Sequence, residues 1–371
     1  MDSFIKPRAV VALDLDYFYA QCEEARKPEI KGNPVVICVF SGRSEISGAV
    51  STCNYEARKL GVRSGMPIAF AKRILKNIGT ALFLPIDLEY YQTVSERIME
   101  ILRSKAEKFE QASIDEAFLD VSSRYDPIYE KVTKIARSIK QEILSEEKLT
   151  CSVGIGSNKL LAKMAADSKK PDGLSVILPG GEQAFLYPLP VGKLLGVGPK
   201  TEEKLKSIRV EYVADLARAD NYKLSALFGK NLGPSLKEWA NGIDESPVVE
   251  KPIEQMSRII TLKKDASAFD FQDVLRPISE DLARKLRLNS LQSKAIGIIA
   301  INDELKTKSR AKTLSLPTDS EKIIFNVACE LFSSFFGEGK STPSPILRRV
   351  GIKVSELSPA NPESGTLENY I

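Results

Sequence analysis

Short apolar runs and regularly spaced apolar positions divide the first half of the chain into predicted strands and helices. Residues 9–16, AVVALDLD, form a Val-rich apolar run that is typical of a buried strand. Residues 87–106 instead space Val94, Ile98 and Leu102 along one helical face. The same criteria predict further strands over 34–39, 48–52, 81–85 and 150–156, two strands around 112–120, and helices over 54–61, 66–75, 127–147 and 157–170.

When residues 18–83 are set aside, these elements follow the order β-α-β-β-α-β. This is the ferredoxin-like split βαβ order, in which the first and third strands are antiparallel neighbours. Asp14 and Asp16 lie at the end of the first strand, and Asp115 and Glu116 lie at the start of the third. The order of elements therefore predicts a cluster of carboxylates at one edge of the sheet.

The paired carboxylates need a physical reason, because like charges repel and a turn does not require them. Divalent cations would provide one, since Mg²⁺ prefers hard oxygen ligands and two such ions about 3.5–4 Å apart can clamp an in-line phosphoryl displacement. The chain contains no histidine, which excludes histidine-based triads and H-E-x-x-H zinc sites. The alternative is a pair of solvated acids at a turn.

Composition sets further bounds. The 371 residues, 43% of them hydrophobic, are enough for about two to four domains. An odd number of cysteines, five, with no C-x-x-C pair indicates a reducing cytoplasm rather than a disulfide framework or a zinc site. No apolar run approaches the roughly 18 residues of a membrane span, and no secretion signal is recognised, so we expect a cytoplasmic protein without a membrane partner. The net charge of +4 is unevenly spread, because residues 250–353 have 18 basic and 13 acidic residues, and this basic segment favours a polyanionic partner.

Six motifs, in order along the chain, carry a resemblance to a known family. They are LDLDYFYAQCEE, KGNPVVICVFSGR, GAVSTCNYEARKLGVRSGMPI, ASIDEAFLD, CSVGIGSNKLLAKMAADSKKPDG and LLGVGPKTEEKL. From Val10 to Lys353 the chain resembles the Y-family translesion DNA polymerases, in particular archaeal-like members of the DNA polymerase IV branch. The resemblance implies a DNA-directed DNA polymerase that acts in translesion synthesis, DNA replication and repair of DNA damage, with a mutator character.

The resemblance also implies an α+β multidomain fold of the right-hand polymerase type. Such a fold has a ferredoxin-like palm, small fingers, a helical thumb with a helix-hairpin-helix, and a C-terminal α/β little-finger domain that binds DNA. The implied boundaries are 1–17 and 84–177 for the palm, 18–83 for the fingers, 178–245 for the thumb, 246–256 for a linker, 257–355 for the little finger, and 356–371 for a flexible tail.

The catalytic metal ligands are implied by the same resemblance. Asp14, Asp115 and Glu116 match the family's metal-binding acids, and the backbone carbonyl of Leu15 would join one of the two ions. The ions would be Mg²⁺, for which Mn²⁺ can substitute. Asp16 is interpreted as a structural acid beside the site and is left out of the metal set.

The resemblance further implies contacts to the nucleotide. Tyr19 matches the steric gate, whose ring occupies the position of a ribose 2′-hydroxyl, and Phe18 lies beside it under the sugar. Tyr55, Arg58 and Lys170 match contacts to the triphosphate, where cations would offset negative charge in the transition state. Without the resemblance, Tyr19 would be interpreted as a core aromatic residue, and Arg58 and Lys170 as solvated charges.

The implied reaction is attack of a primer 3′-hydroxyl on the α-phosphate of a dNTP, directed by a template, with release of pyrophosphate. The implied partners are primer-template DNA and dNTP, and we expect a monomer. Two alternatives share some of these features. A palm-type nucleotidyl cyclase would use the same carboxylates without a helix-hairpin-helix, and a non-catalytic DNA-binding protein would not need all three metal acids.

Two segments outside the predicted catalytic domain indicate DNA backbone contacts. Residues 194–205 resemble a helix-hairpin-helix, in which Gly196 and Gly198 would allow a phosphate to approach the backbone. Further along the chain, basic residues recur at every second position and would share one face of a strand. These are Lys306, Lys308, Arg310 and Lys312. A solvated edge strand is the alternative interpretation of this stripe.

The C-terminus suggests one more partner. Leu367, Tyr370 and Ile371 have the spacing of a sliding-clamp binding peptide. Ser364 stands where that peptide has Gln, and Ile371 stands where a second aromatic residue is usual. The sequence therefore predicts a divergent clamp-binding tail, with a disordered tail as the alternative.

Overall fold

The computed structural model describes residues 8–123, 129–266, 271–336 and 346–360. The chain divides into two compact units. The first comprises Met1–Val39 and Val50–Lys251, and the second comprises Phe40–Ala49 and Pro252–Ile371. Across the described ranges, every helix is too short or too polar to cross a membrane.

A small sheet with two short helices forms near the start of the chain. The first elements are β1 (Val10–Leu15), α1 (Phe18–Arg26), β2 (Val35–Phe40), β3 (Gly48–Cys53), α2 (Tyr55–Lys59), α3 (Ile68–Ile74) and β4 (Leu82–Pro85). The small sheet has the order β3-β2-β4, with β2 parallel to β4. Its strands and α3 bury Val36, Val50 and Ile68 in a separate hydrophobic cluster. Helix α1 instead contributes Phe18 to the larger core of the unit.

The main sheet of the first unit has the predicted ferredoxin-like order. Its remaining elements are α4 (Leu88–Lys105), β5 (Lys108–Gln111), β6 (Glu116–Asp120), α5 (Tyr129–Glu147), β7 (Cys151–Gly156), α6 (Lys159–Ser168) and β8 (Leu174–Val176). The strand order is β5-β6-β1-β7-β8, and β1 runs antiparallel to both β6 and β7. The prediction that the first and third strands are antiparallel neighbours is therefore confirmed.

Helices cover both faces of this sheet because β1 is apolar on both sides. One face packs against α4 and α5, which contribute Ile98 and Ile139 to the larger core. The other face packs against α6, where Ala12 and Ala162 belong to one buried cluster. The helix approaches closely at Gly154, since a Cβ there would lie 2.0 Å from the carbonyl oxygen of Ala162. The central strand is thereby fixed from four sides, which gives its C-terminal end a defined position.

The rest of the first unit is helical. It contains α7 (Glu182–Leu186), α8 (Pro199–Ser207), α9 (Val213–Arg218) and α10 (Asn221–Ala240). These helices bury Leu205, Val213 and Leu236 in a core that they share with Leu161 and Met164 of α6. Helix α10 is kinked at Gly229, where φ is 87°, a value that a residue with a Cβ rarely adopts.

The second unit repeats the order β-α-β-β-α-β with a different sheet. It contains β9 (Gln255–Ala266), α11 (Phe271–Leu288), β10 (Leu291–Asn302), β11 (Thr307–Thr318), α12 (Glu321–Phe336) and β12 (Leu347–Pro359). The strand order is β11-β10-β12-β9, and every neighbouring pair is antiparallel. Both helices pack on one face over Ile296, Ile298 and Ile352.

Two details of this unit refine the sequence prediction. Strand β12 pairs with β10 as far as Pro359, so the segment predicted as a flexible tail from residue 356 begins with four residues of strand. The loop between β2 and β3 is held in this unit by Arg43, which donates a 2.7 Å hydrogen bond to the carbonyl of Leu262 and pairs with Asp265. Asp265 also pairs with Arg348 at 2.9 Å.

Candidate active site

The acids predicted from the order of elements meet at one edge of the main sheet. Asp14 on β1 is directly opposite Glu116 on β6. The carbonyl of Asp115 accepts a 2.8 Å hydrogen bond from the backbone N–H of Leu15. Four positions expected to bind metal are thus held together by strand pairing, so their backbone spacing is set before any ligand is present.

Two lysines neutralise part of this negative charge. The ammonium of Lys163 pairs with Oδ2 of Asp14 and lies 3.1 Å from Oε2 of Glu116. The ammonium of Lys170 lies 2.6 Å from the same Oδ2 of Asp14. Burial raises the pKa of Glu116 above its ordinary value, although the charge of Lys163 opposes this shift. Burial would lower the pKa of Lys163, but the charges of Asp14 and Glu116 outweigh it, so that pKa lies above its ordinary value.

The donor set suits a hard divalent cation, because it consists of carboxylate and carbonyl oxygens. Within the described ranges, however, no three ligating side chains already converge as a metal cage. The observed hydrogen bonds account for this, since Asp14 and Glu116 point towards Lys163 and Asp115 accepts a 2.6 Å hydrogen bond from the hydroxyl of Ser113. The residues fit a magnesium site in chemistry and backbone position, because one oxygen of Asp14 and one of Glu116 lie outside the Lys163 contacts, and the Asp115 side chain would turn from Ser113 to bind the ion.

A cavity of about 330 Å³ opens beside the acids. Its walls come from β1, the start of α1, β3, α2, the turn before β6 and the loop before β8. The lining residues are Asp14, Leu15, Asp16, Tyr17, Phe18, Tyr19, Ser51, Thr52, Tyr55, Arg58, Ser64, Ile114, Asp115 and Lys170. All the expected nucleotide contacts and all the expected metal ligands except Glu116 therefore line one cavity.

The ring of Tyr19 is held by its neighbours. It stacks on Tyr91 of α4, with ring centroids 4.6 Å apart and an angle of 15° between the planes. Its centroid is 5.6 Å from that of Phe18, and Phe18 is only 2% exposed. Burial, with a smaller effect from Asp115, raises the pKa of Tyr19. The ring is therefore a rigid wall of the cavity, as a steric gate requires.

Tyr55 and Arg58 share one face of α2, as their spacing predicted. The guanidinium of Arg58 lies 5.0 Å from the centroid of the Tyr55 ring. The helix begins after Asn54, which is 2% exposed. The side-chain oxygen of Asn54 accepts hydrogen bonds from the N–H groups of Ala57 and Val35, and its amide group donates a 2.8 Å hydrogen bond to Glu24 of α1. Asn54 thus aligns α2 with the helix that carries Tyr19.

Asp16 has a structural role. It is 1% exposed and accepts hydrogen bonds from the hydroxyls of Thr150 and Ser152 and from the backbone N–H of Asp172, at 2.9, 2.7 and 2.8 Å. These bonds tie the end of β1 to the loop that follows Lys170. The interpretation of Asp16 as a structural acid agrees with this geometry, and the geometry explains how Lys170 is directed towards the cavity.

Sequence reasoning missed two charged residues of α6. Lys163 and Asp167 belong to the acid cluster, since Asp167 lies 3.4 Å from Lys163 and 2.7 Å from Lys170. A signal was present in the sequence. The charges at positions 163 and 167 fall on one helical face at i and i+4, and Lys163 stands between apolar residues that are buried.

The predicted helix-hairpin-helix is present at the start of α8. Gly196 has φ of 88°, and a Cβ there would lie 2.7 Å from the Trp239 ring. Backbone conformation and packing therefore explain why residue 196 is a glycine. Gly198 has open space where a Cβ would be, which leaves the N-terminus of α8 accessible, as phosphate binding would require.

Lys308, Arg310 and Lys312 of the basic stripe lie on the helix side of the second unit's sheet, whereas Lys306 precedes β11 and lies outside the strand. Arg310 is opposite Ile298, and Lys312 is opposite Ile296, and both isoleucines face the core. Lys312 pairs with Glu330 of α12 at 2.7 Å. The prediction that alternate cations of this strand share one face is confirmed. The alternation could not indicate which face they occupy, because β11 is an edge strand with exposed residues on both faces.

A ferredoxin-like sheet with paired acids at the end of its central strand, beside a cavity lined by Tyr, Arg and Lys, defines a palm-type nucleotidyltransferase. Comparison with known proteins gives the same class. The chain matches the impB/mucB/samB family over residues 13–167, the IMS family HHH motif over 179–208, and the impB/mucB/samB family C-terminal domain over 253–367. The chain belongs to this family, and the resemblance to Y-family polymerases is confirmed.

Individual relatives match along nearly their whole length. The DNA polymerase IV of Methanosarcina acetivorans is 43% identical over 358 residues, which cover 94% of this chain and 96% of that protein. The DNA polymerase IV of Nitrosopumilus maritimus is 38% identical over 95% of this chain and 97% of that protein. Among solved structures, the Y-family DNA polymerase chimera Dbh-Dpo4(243-245)-Dbh is similar with a TM-score of 0.86, 35% identity, and coverage of 95% of this chain and 100% of that chain. The predicted right-hand fold, with palm, fingers, thumb and little finger, is confirmed.

Proposed function

We infer that this chain is a template-directed DNA polymerase of the translesion type, which transfers a nucleotide from a dNTP to a primer 3′-hydroxyl with release of pyrophosphate. The observation that carries this function is the pairing of Asp14 with Glu116 at the edge of a cavity that Tyr19, Arg58 and Lys170 also line. The full-length similarity to DNA polymerases IV supports it. Neither the cyclase nor the non-catalytic alternative accounts for all three family matches together with the intact acid set.

Asp14, Asp115 and Glu116, with the carbonyl of Leu15, would hold two Mg²⁺ ions, for which Mn²⁺ can substitute. When bound, such ions activate the attacking hydroxyl and neutralise charge on the leaving phosphate. The chain's contribution is to keep these oxygen ligands on two paired strands. Because the strands fix the backbone, only side-chain rotation is needed to bind the ions.

The cavity residues would bind and select the nucleotide. Arg58 and Lys170 present cations from two sides of the cavity, where they can pair with triphosphate oxygens, and Tyr55 lies under Arg58. The Tyr19 ring, stacked on a core residue, would leave no room for a 2′-hydroxyl. Phe18 supports this ring from the core, so selection of the sugar would depend on packing.

We propose the domain boundaries implied by the sequence: palm 1–17 and 84–177, fingers 18–83, thumb 178–245, linker 246–256 and little finger 257–355. DNA would be held by the N-terminus of α8 and by the second unit. On the open face of that unit's sheet, Arg349 is opposite Ile301 and Lys353 is opposite Gly297. The core isoleucines of β10 and β12 point the other way, so these two cations are available for phosphate contacts. A cytoplasmic location and a monomeric state remain predictions.

The clamp-binding peptide lies outside the described residues and remains a proposal. Deleting residues 367–371 should leave distributive synthesis unchanged and remove stimulation by a sliding clamp. Calorimetric titration of the tail peptide against the clamp measures the contact directly. An absence of heat at high micromolar peptide would contradict the proposal.

Primer extension on a defined template tests the function. The wild-type chain should add the templated nucleotide only when Mg²⁺ is present. Asp14→Ala serves as the inactive control. Extension that ignores the template base, or that continues in the presence of a metal chelator, would contradict the proposed function.

A further inference from the structure

The amino group of Lys163 is buried beside the acid pair. Its side chain is 11% exposed, and it extends from a helix whose neighbouring residues Leu160, Leu161 and Met164 are buried. A buried ammonium is stable only when carboxylates surround it. Three do so here. They come from β1, from β6 and from α6 itself, as Asp14, Glu116 and Asp167.

Lys163 and Lys170 occupy different positions in this cluster. Lys170 lines the cavity, has a side chain that is 27% exposed, and contacts only Asp14 of the expected metal ligands. Lys163 is absent from the cavity lining and joins Asp14 to Glu116. A nucleotide in the cavity can therefore reach Lys170, whereas Lys163 can act only through the acids.

We propose that Lys163 is a positioning residue for nucleotidyl transfer. It holds Asp14 and Glu116 by one oxygen each, so that the other oxygen of each carboxylate is presented to a cation. Asp167 is its support, because it gives Lys163 a third carboxylate partner and Lys170 a second, and keeps their ammonium groups in place. This inference rests on the proposed function, since it assigns a role relative to the metal-binding acids.

The assignment makes an unusual prediction about metal affinity. Removing the positive charge of Lys163 increases the net negative charge felt by a divalent cation nearby, so the cation should bind more tightly. The same change releases the two carboxylates from their fixed orientation, so the reacting groups should be less well placed and the chemical step slower. A residue needed only for folding would not separate these two effects.

The experiment compares Lys163→Met with Lys169→Met. Both remove one positive charge from α6 or its C-cap, and Lys169 is exposed. Mn²⁺ binding is measured by electron paramagnetic resonance on enzyme with a dideoxy-terminated primer-template and a non-hydrolysable dNTP analogue. Single-turnover extension gives the rate and the KM for dNTP.

Lys163→Met should bind Mn²⁺ at least about fivefold more tightly, while the extension rate falls about 10- to 100-fold. The KM for dNTP should change by less than about threefold, because the triphosphate contacts remain. Lys169→Met should match the wild type. Unchanged or weaker Mn²⁺ binding in Lys163→Met, or an unchanged rate, overturns the proposal.

Two further variants keep the test decisive. If Lys163→Met melts too low to assay, Lys163→Arg takes its place, because it retains the charge. It should keep the Mn²⁺ affinity within about twofold while the extension rate still falls, since its planar group cannot reproduce the lysine contacts. A wild-type extension rate in Lys163→Arg would contradict the positioning role. Asp115→Ala separates the two hypotheses. If Asp115→Ala bound Mn²⁺ as tightly as the wild type, the proposed metal site itself would be contradicted, whatever the lysine variants show.

Discussion

The two units of this chain use the same order of elements, β-α-β-β-α-β, and build different sheets from it. In the first, β1 is central and lies between β6 and β7. In the second, the corresponding first strand β9 lies at the edge. A central strand is covered by helices on both faces and paired on both sides, so its end is the more rigid position. The acids of the proposed active site are located at such an end.

Two clusters of acids, one in each unit, are neutralised to different extents. In the second unit, Asp281 of α11 pairs with Arg258, Arg284 and Lys285 at 2.9–3.0 Å. Burial would raise the pKa of Asp281, but these three cations lower it to about 2. The acid cluster of the first unit has only two lysines for its larger number of carboxylates, and burial raises the pKa of Glu116.

This difference indicates what each cluster can do. An acid with an excess of cations is satisfied by the protein, so it stabilises the fold and attracts no ligand. An acid cluster with too few cations keeps a negative potential, which favours a divalent ion and disfavours the protein's own stability. Incomplete charge compensation beside a cavity is therefore the feature that separates the proposed active site from a structural ion-pair network.

The largest expected effect tests this distinction directly. Asp115→Ala or Glu116→Ala should lower the single-turnover rate of primer extension at least about 100-fold, because each removes a proposed metal ligand, and should leave DNA affinity unchanged. Gel-shift titration measures the affinity. Glu100→Ala, an exposed acid on α4, is the control and should behave as wild type. If either variant kept a tenth or more of the wild-type rate, the assignment of these acids as metal ligands would be contradicted.

The next effect concerns the rigid wall of the cavity. Tyr19→Ala should reduce discrimination against ribonucleotides at least about tenfold, because a ring that blocks the 2′-hydroxyl is removed. Tyr19→Phe keeps the ring and should discriminate as wild type does. Competing incorporation of matched dNTP and rNTP measures the ratio. Equal discrimination in Tyr19→Ala and wild type would show that another group excludes the hydroxyl.

A smaller effect distinguishes the two faces of the second sheet. Replacing Arg349 and Lys353 with Ala should reduce the magnitude of the slope of log K against log[salt] by about 1.8, or about 0.9 for each lost phosphate contact on duplex DNA. Replacing Lys308 and Arg310 removes the same charge from the helix side and should change the slope less. Fluorescence anisotropy at several salt concentrations measures both. If replacing Lys308 and Arg310 changed the slope more than replacing Arg349 and Lys353, the basic stripe would be assigned to the DNA interface.

The smallest effect is on stability in acid. The pKa of Asp281 is about 2 in the folded chain and about 3.9 when unfolded. The folded pKa is depressed, so the contribution of Asp281 is fully present above about pH 4 and is lost as the pH falls towards 2. Calorimetry of wild type and Asp281→Asn should therefore show a difference in melting temperature that shrinks over this range. Glu280→Gln, an exposed neighbour, should show no such trend.

The sequence alone determined the order of elements and the identity of the acids. Apolar runs located β1 and β7, helical spacing located α4, and the βαβ order placed Asp14 beside Glu116. These features depend on local spacing and on a general rule of chain topology, so a linear pattern is enough to predict them. Even the shared face of Tyr55 and Arg58 followed from their separation by three residues.

Only the tertiary structure decided which charges meet across elements. Lys163 lies in a helix and reaches acids on two strands, and the local pattern, which places it on one helical face with Asp167, does not identify those partners. Likewise, alternation in β11 indicated a shared face for Lys308 and Arg310, but packing of α12 against the sheet determined which face it is. Periodicity describes a residue relative to its own element, whereas pairing, burial and charge compensation depend on how separate elements pack together.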